Sequence, residues 1–292
     1  MLWLDGEVRP TTVAPFDLSD RGLLLGDGVF DTLMVLAGRP VFAAAHRTRL
    51  VGSAAALGLR IDPTTVAAAV AALAAAVGDG VARVTATRGP GPRGIRPPAA
   101  PRPTVFATAA PLNPALMFRP VRLATSAIRR NETSPASRHK TLGYLDAVVA
   151  SKAAAAAGAD DALFLNTAGR VACTTMANLF VVAGDRLLTP PLADGVLAGI
   201  VRGEILALAG EAGLVGEEAS LMPGDLATAD AVFLTNSVRL VSPVAVIDGA
   251  PLAAPASARV EMLAAALSRR IADGTGVDVV GLVTGTAPPR TA

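Results

Sequence analysis

The chain has 292 residues, a formal net charge of +2 and a mean hydropathy of +0.49, length enough for two compact domains of ordinary size. No uninterrupted apolar run reaches the roughly 20 residues that a bilayer crossing requires, and aromatic residues at only 3% with dispersed arginines argue against a stacking surface for nucleic acid. A soluble chain with neither membrane nor nucleic acid as partner is expected. The opening Met-Leu-Trp-Leu-Asp-Gly carries an acid before any base and lacks the pattern of a signal peptide. Cys173 is the single cysteine, so no internal disulfide can form, and both features fit a reducing cytoplasm.

In chain order, residues 2–4 and 7–13 flank Asp5-Gly6, a dipeptide suited to a tight hairpin turn, and read as paired strands. Residues 29–36 read as a third strand. Ala-rich stretches at 43–57 and 63–77 read as helices bounded by Gly or Pro. Strands follow at 81–87 and 104–109; between them, 88–103 holds six prolines and three glycines and predicts a long loop. Pro111-Leu112-Asn113-Pro114 reads as an interdomain link, giving a small N-terminal domain, 1–112, and a large cofactor-binding domain, 113–292. In the latter, strands are expected at 121–125, 161–165, 178–182, 186–189, 231–234 and 244–247, with helices at 142–157, 200–212 and 256–271. Strands and helices without regular alternation predict an α+β protein in two parts.

Of the 26 basic side chains only Lys140 and Lys152 are lysines. A guanidinium stays protonated, whereas an ε-amine can lose its proton and condense with a carbonyl. A retained lysine in so arginine-rich a chain therefore draws attention to covalent chemistry, with two chance survivors on solvated faces as the bland alternative.

The segment Ser137-Arg138-His139-Lys140-Thr141-Leu142-Gly143-Tyr144-Leu145-Asp146 resembles the one around the cofactor-bearing lysine of class IV aminotransferases. Three further segments resemble the same family in the same order. They are Asp20-Arg21-Gly22 with Gly26-Asp27-Gly28-Val29-Phe30-Asp31-Thr32, then His46-Arg47-Thr48-Arg49-Leu50, then Leu197-Ala198-Gly199-Ile200-Val201-Arg202. Thr235-Asn236-Ser237 before Pro243 resembles the family's late phosphate loop. The resemblance spans nearly the whole chain, about residues 1–246. It implies the fold type IV architecture of pyridoxal-phosphate enzymes: a smaller N-terminal α/β domain and a larger C-terminal domain with a barrel-like sheet.

It implies pyridoxal 5′-phosphate as cofactor and no metal. Lys140 would hold the cofactor as a Schiff base and then shuttle the substrate's α-proton. Tyr144, the chain's single tyrosine, would lie near the cofactor's phenolic oxygen. Arg49, the backbone N–H groups of Ile200 and Val201 at a helix start, and the Ser237 hydroxyl would hold the phosphate. Val201 stands where the family often has Thr, so one hydroxyl contact would be missing. Gly26 and Gly28 would permit close backbone approach, and Phe30 would line the substrate pocket. Arg88-Gly89-Pro90-Gly91-Pro92-Arg93-Gly94 resembles the loop that carries a carboxylate-binding arginine, which makes Arg93 the match, although Ile95 stands where D-amino-acid aminotransferases tend to have His. Arg138 and Arg239 flank the inferred cofactor segments and are further substrate-binding candidates, or else surface cations.

The departure is Cys173, five residues before Asn178-Leu179-Phe180, where the family usually has the Glu that keeps the pyridine nitrogen protonated. A thiol is mostly neutral at pH 7. Either the ring works with a less protonated nitrogen, or another group replaces the acid, or the chemistry has changed; Cys173 as a small core residue is the structural alternative.

The implied function is amino transfer between a small amino acid, D- or branched-chain, and a 2-oxo acid, by a homodimer. The alternatives are 4-amino-4-deoxychorismate lyase, which releases pyruvate, and a non-catalytic binder of a phosphate ligand.

Overall fold

The computed structural model describes residues 1–253 and 257–285, and the chain divides into two compact units. The first comprises Met1–Leu112 with His139–Gly143 and Gly274–Val277; the second comprises Asn113–Arg138, Tyr144–Asp273 and the described residues from Asp278 on. The stretch 113–292 is therefore not one unbroken domain, because the residues around Lys140 pack with the first unit.

In the first unit, β1 (Leu2–Leu4) and β2 (Glu7–Arg9) form a hairpin turned by Asp5 and Gly6, whose φ values of 52° and 86° suit a two-residue turn. β2 stops well short of the expected residue 13, since Pro10 has no N–H to extend the ladder. There follow α1 (Arg21–Leu25), β3 (Gly28–Leu36), β4 (Arg39–Pro40), α2 (Ala43–Ala56), α3 (Pro63–Val77), β5 (Gly80–Thr87) and β6 (Thr104–Ala110). α3 begins with Pro63 in its first turn and the Asp62 carboxylate accepting from the Thr64 N–H at 2.9 Å. The strands make an antiparallel sheet in the order β2-β1-β6-β5-β3-β4. Val29, Leu33 and Val35 on one face of β3 pack with Leu50 and Ala54 of α2 and with Leu73 of α3.

β4 pairs only with Val35 and Leu36, so the other end of this β3 edge is open to a different segment. His139–Gly143 takes it. The Phe30 N–H donates to the Lys140 carbonyl at 2.9 Å, the Leu142 N–H donates to the Gly28 carbonyl at 3.0 Å, and Val29 bridges Thr141. Gly28 is required here, because a Cβ would lie 2.6 Å from the Ala86 carbonyl oxygen and 2.8 Å from Leu142 Cδ1.

Asp31 shares the face of Val29 and Leu33 and is buried. Its carboxylate lies 2.8 Å from His46 Nδ1 and accepts from Arg49 Nε at 2.8 Å and Nη2 at 2.6 Å, tying α2 to β3. Burial alone would raise its pKa, but the hydrogen bonds and charges of His46 and Arg49 prevail and hold it down to about 2.

The second unit contains β7 (Val121–Thr125), α4 (Pro135–Arg138), α5 (Leu145–Ala156), β8 (Asp161–Leu165), β9 (Val171–Thr174), β10 (Asn178–Ala183), β11 (Arg186–Thr189), α6 (Ile200–Leu208), β12 (Val215–Glu218), α7 (Pro223–Ala227), β13 (Ala231–Asn236), β14 (Leu240–Ile247) and β15 (Ala250–Pro251). α8 (Ala258–Thr275) and α9 (Val279–Thr284) complete the chain's elements. β10-β13-β14-β7-β8-β9 are paired in succession, and β9 returns to β10 through Cys173 and Asn178, closing a barrel. Leu123, Leu163, Leu179, Val232, Leu234 and Val244 from around the ring form one interior cluster. On the other face, the Phe180 and Phe233 rings stack at 5.1 Å.

Three helices differ from expectation at their ends. α5 starts at Leu145 rather than at 142, since Leu142 is extended and bonded to Gly28. α6 gives way after Leu208 to a 3-10 turn, Ala209–Ala212. α8 runs from Ala258 to Thr275, and Ala256, the expected start, lies outside the described residues. Among the described residues no helix is long and apolar enough to cross a membrane.

Because folding lowers the Asp31 pKa from 3.8 to about 2, its ion pairs stabilise the fold fully above the unfolded value and lose that effect as pH falls through the folded one. Urea unfolding should show Asp31→Asn flattening the pH dependence between pH ~4 and ~2 by on the order of 2 kcal/mol. A second expectation concerns the open edge of β3. Gly28→Ala should cost about 1–3 kcal/mol and speed amide exchange at Phe30 and Leu142, read by hydrogen exchange.

Candidate active site

Lys140 lies opposite Phe30 in the edge pairing, so both side chains leave the sheet on the same face. Its Nζ lies 4.5 Å from the centroid of the buried Phe30 ring, and the Arg83 guanidinium carbon lies 3.6 Å from the same centroid. Arg83, on β5, pairs with Thr32, two residues along from Phe30. Sequence reading missed it. The signal was a cation in a strand whose neighbours Ala82 and Val84 face the core.

The Gly26-Asp27-Gly28 motif has a structural task as well. Asp27 Oδ2 accepts from Arg21 Nε at 2.9 Å and Arg88 Nε at 2.8 Å. Burial pushes the Asp27 pKa up, but these two guanidinium groups outweigh it and hold the carboxyl below its usual range. Arg21 also donates to the carbonyls of Gly94 and Ile95 at 2.9 and 2.7 Å, and Arg88 to those of Gly58 and Leu57 at 3.0 and 2.8 Å. The loop 88–103 is thus stapled at its centre, with Arg93 exposed beside the staple. Arg49 lies on the opposite face of β3 from Phe30, where Nε and Nη2 hold Asp31.

In the second unit, α6 begins without a side-chain cap, its N-cap being Gly199. Its first residues, half-buried Ile200 and buried Val201, thus present backbone N–H groups with no capping side chain. The Asn178 amide donates to the Leu197 carbonyl at 2.9 Å and fixes the approach to this helix. Ser237 sits half-buried in the β13–β14 turn, where Asn236 Oδ1 accepts from the Val238 and Arg239 N–H groups at 2.9 and 2.7 Å. Arg239 is half-buried at this turn. Tyr144 is half-buried as the residue just before α5, one place ahead of the helix rather than inside it. Arg138 is exposed, and its Nε donates to the Glu132 carbonyl at 3.2 Å.

Cys173 is buried in an apolar cluster with Ala150, Ala154, Ala162, Phe164 and Val196. Burial pushes the thiol pKa up, with the Arg130 charge opposing and that of Asp161 adding to the rise, so the group is neutral at neutral pH.

The sequence profile of the amino-transferase class IV family matches residues 28–247. A Methanocaldococcus jannaschii protein provisionally named a branched-chain-amino-acid aminotransferase is 34% identical over 85% of this chain and 88% of its own. The structure of 4-amino-4-deoxychorismate lyase from Pseudomonas aeruginosa superposes with a TM-score of 0.82 at 32% identity, over 94% of this chain and 98% of that one. A hypothetical aminotransferase from Mycobacterium tuberculosis in its PLP-bound form gives 0.80 at 25% identity, over 92% and 99%. The chain therefore belongs to the class IV aminotransferase family, as an α+β enzyme of fold type IV whose cofactor is pyridoxal 5′-phosphate.

Proposed function

We propose that this enzyme moves an amino group between a small amino acid, D- or branched-chain, and a 2-oxo acid, with Lys140 as its catalytic residue. When bound, pyridoxal phosphate supplies an aldehyde that accepts the amino group and a ring that withdraws electrons from the substrate's α-carbon. Lys140 Nζ would hold the aldehyde and, as a free amine, would move the substrate's α-proton. The observation that carries this reading is the edge pairing to β3, which fixes the Lys140 backbone and leaves its amine over the Phe30 ring.

The donor set fits a phosphate. In the second unit, uncapped N–H groups at Ile200 and Val201 suit a dianion, with the Ser237 hydroxyl as a further donor; Arg49 is the candidate the resemblance supplies, and its Nε and Nη2 hold Asp31. Tyr144 serves the phenolic oxygen. Phe30 would line the substrate pocket, with Arg83, stacked on its ring, as the nearest carboxylate reader and Arg93 and Arg239 as the candidates that the resemblance supplies. Arg138, bonded to the Glu132 carbonyl, is the weakest of the substrate candidates. The fit fails at the ring nitrogen, where a neutral thiol supplies no charge to hold a proton there.

A homodimer is supported by apolar side chains exposed within each unit: Leu23 and Leu24 on α1, and Leu145 and Val148 on α5, from 58% to 74% accessible. The second reading, pyruvate release from 4-amino-4-deoxychorismate, is supported by the likeness to the Pseudomonas aeruginosa structure and would use the same lysine and cofactor.

Purified protein should show a near-visible band removed by borohydride, and Lys140→Ala should lack it. In a donor screen, turnover that requires a 2-oxo acid supports the transferase, whereas pyruvate release from aminodeoxychorismate without an acceptor supports the lyase. Cys173→Glu should raise amino transfer if the missing acid limits it, and unchanged or lower kcat would refute that account.

A further inference from the structure

Among the described residues four buried side-chain polar atoms have no hydrogen-bond partner, Thr141 Oγ1, Arg202 Nε, Thr235 Oγ1 and Ser242 Oγ, and one of them stands beside the approach to α6. Thr235 Oγ1 is buried, in a residue 2% exposed, and has no hydrogen-bond partner among the described residues. A buried hydroxyl without a partner costs about 1–3 kcal/mol, so its persistence calls for an acceptor.

Register says which way it faces. Phe180 and Phe233 are cross-strand partners on β10 and β13 and stack on the outer face of the ring, whereas Leu179 and Leu234 belong to the interior cluster. Two residues along, Asn178 and Thr235 are partners in the same pairing, so their side chains stand side by side on that outer face. Asn178 is bonded to the Leu197 carbonyl, and a methyl group at Gly199 would overlap its Oδ1. The neighbour of Thr235 therefore lies directly against the residues that lead into α6, a helix of nine residues that itself packs on β13. Val201, in the first turn, brings no hydroxyl.

We propose that Thr235 is a phosphate-binding residue: its hydroxyl donates to a phosphate monoester held by the uncapped first turn of α6. The proposal rests on the cofactor reading above and adds to it a second hydroxyl from the segment that carries Ser237. A phosphate monoester presents three terminal oxygens, enough to accept from two backbone N–H groups and a hydroxyl together. A hydroxyl that can donate beside helix N–H groups suits an anion, and the positive end of the helix disfavours a cation. Gly199 is then required on two counts, since a larger residue would strike Asn178 and a side-chain cap would compete for the donors.

The test uses the full chain, with Thr235→Val removing the hydroxyl at nearly constant volume and Thr235→Ser keeping it. Calorimetry would measure binding of three probes: pyridoxal 5′-phosphate, unphosphorylated pyridoxal and inorganic phosphate. Loss of one hydrogen bond to a charged group predicts about tenfold or more weakening of both phosphate probes in Thr235→Val. Pyridoxal binding should not change, and Thr235→Ser should stay close to wild type. Equal weakening of all three probes in both variants would mean a structural role and overturn the proposal, as would unchanged phosphate binding in Thr235→Val. If the wild type binds inorganic phosphate in a Thr235-dependent way but takes up no pyridoxal phosphate, the cofactor reading fails and the site stands. A wild type that binds neither phosphate compound overturns the site as well.

Discussion

The pairing of the Lys140 stretch with the open edge of β3 is the constraint on which the rest depends. Two backbone hydrogen bonds, Phe30 N–H to Lys140 and Leu142 N–H to Gly28, fix a lysine that belongs to no helix or named strand. Strand alternation then sends the Lys140 amine to the Phe30 face and Thr141 to the side of Val29. Gly28 gives Leu142 room, and Gly26 takes the positive φ of 65° that ends α1. Two motifs more than a hundred residues apart in sequence are thus one device: Gly28 makes space for the strip that carries the amine.

Charge placement secures the same region. Asp27 and Asp31 lie just before and within β3, and each holds two basic side chains: Arg21 and Arg88 for the first, His46 and Arg49 for the second. Removing one member of such a set leaves a buried charge uncompensated, which costs more than the pair contributes when whole. The Asp27 set connects β3 to the loop 88–103, and the Asp31 set connects it to α2. Most of these guanidinium groups end on backbone carbonyls or carboxylates, a use of their several fixed donors that lysine could not replace. The arginine-rich composition thus has a structural reason, separate from any role in chemistry.

The strands and helices with strong periodicity could be read from the sequence. Residues 121–125, 161–165 and 186–189 coincide with β7, β8 and β11, because each is short, apolar and bounded by turn residues. The misses have physical causes. β9, Val171–Thr174, is short and shows no alternation because every residue in it is buried. The start of α5 was placed too early because Leu142 and Gly143 carry helical neighbours but give their backbone to a distant strand, a long-range effect that no window on the sequence contains. Lys140, Phe30 and Arg49 were legible as motif residues. Arg83 was not, since it meets Phe30 across a strand pair rather than along the chain, and Thr235 stood inside a quoted motif while its pairing with Asn178 was not legible.

The sites proposed for phosphate and for ring nitrogen are built from different materials, so substitutions would act on them separately. At α6 the donors are backbone N–H groups, which substitution of side chains leaves in place. At Cys173 the group is a single side chain set among alanines and Phe164. A carboxylate placed there would lose hydration, and burial by itself would push it toward the neutral form. The counterweight is Arg130, whose charge reaches position 173 and whose guanidinium is held at the carbonyls of Gly195 and Ser137, both 3.2 Å away. Asp161 acts in the opposite sense but already accepts from the Ala162 N–H at 2.8 Å and from Thr175. An acid at 173 would therefore enter surroundings that already hold a matching cation, Arg130.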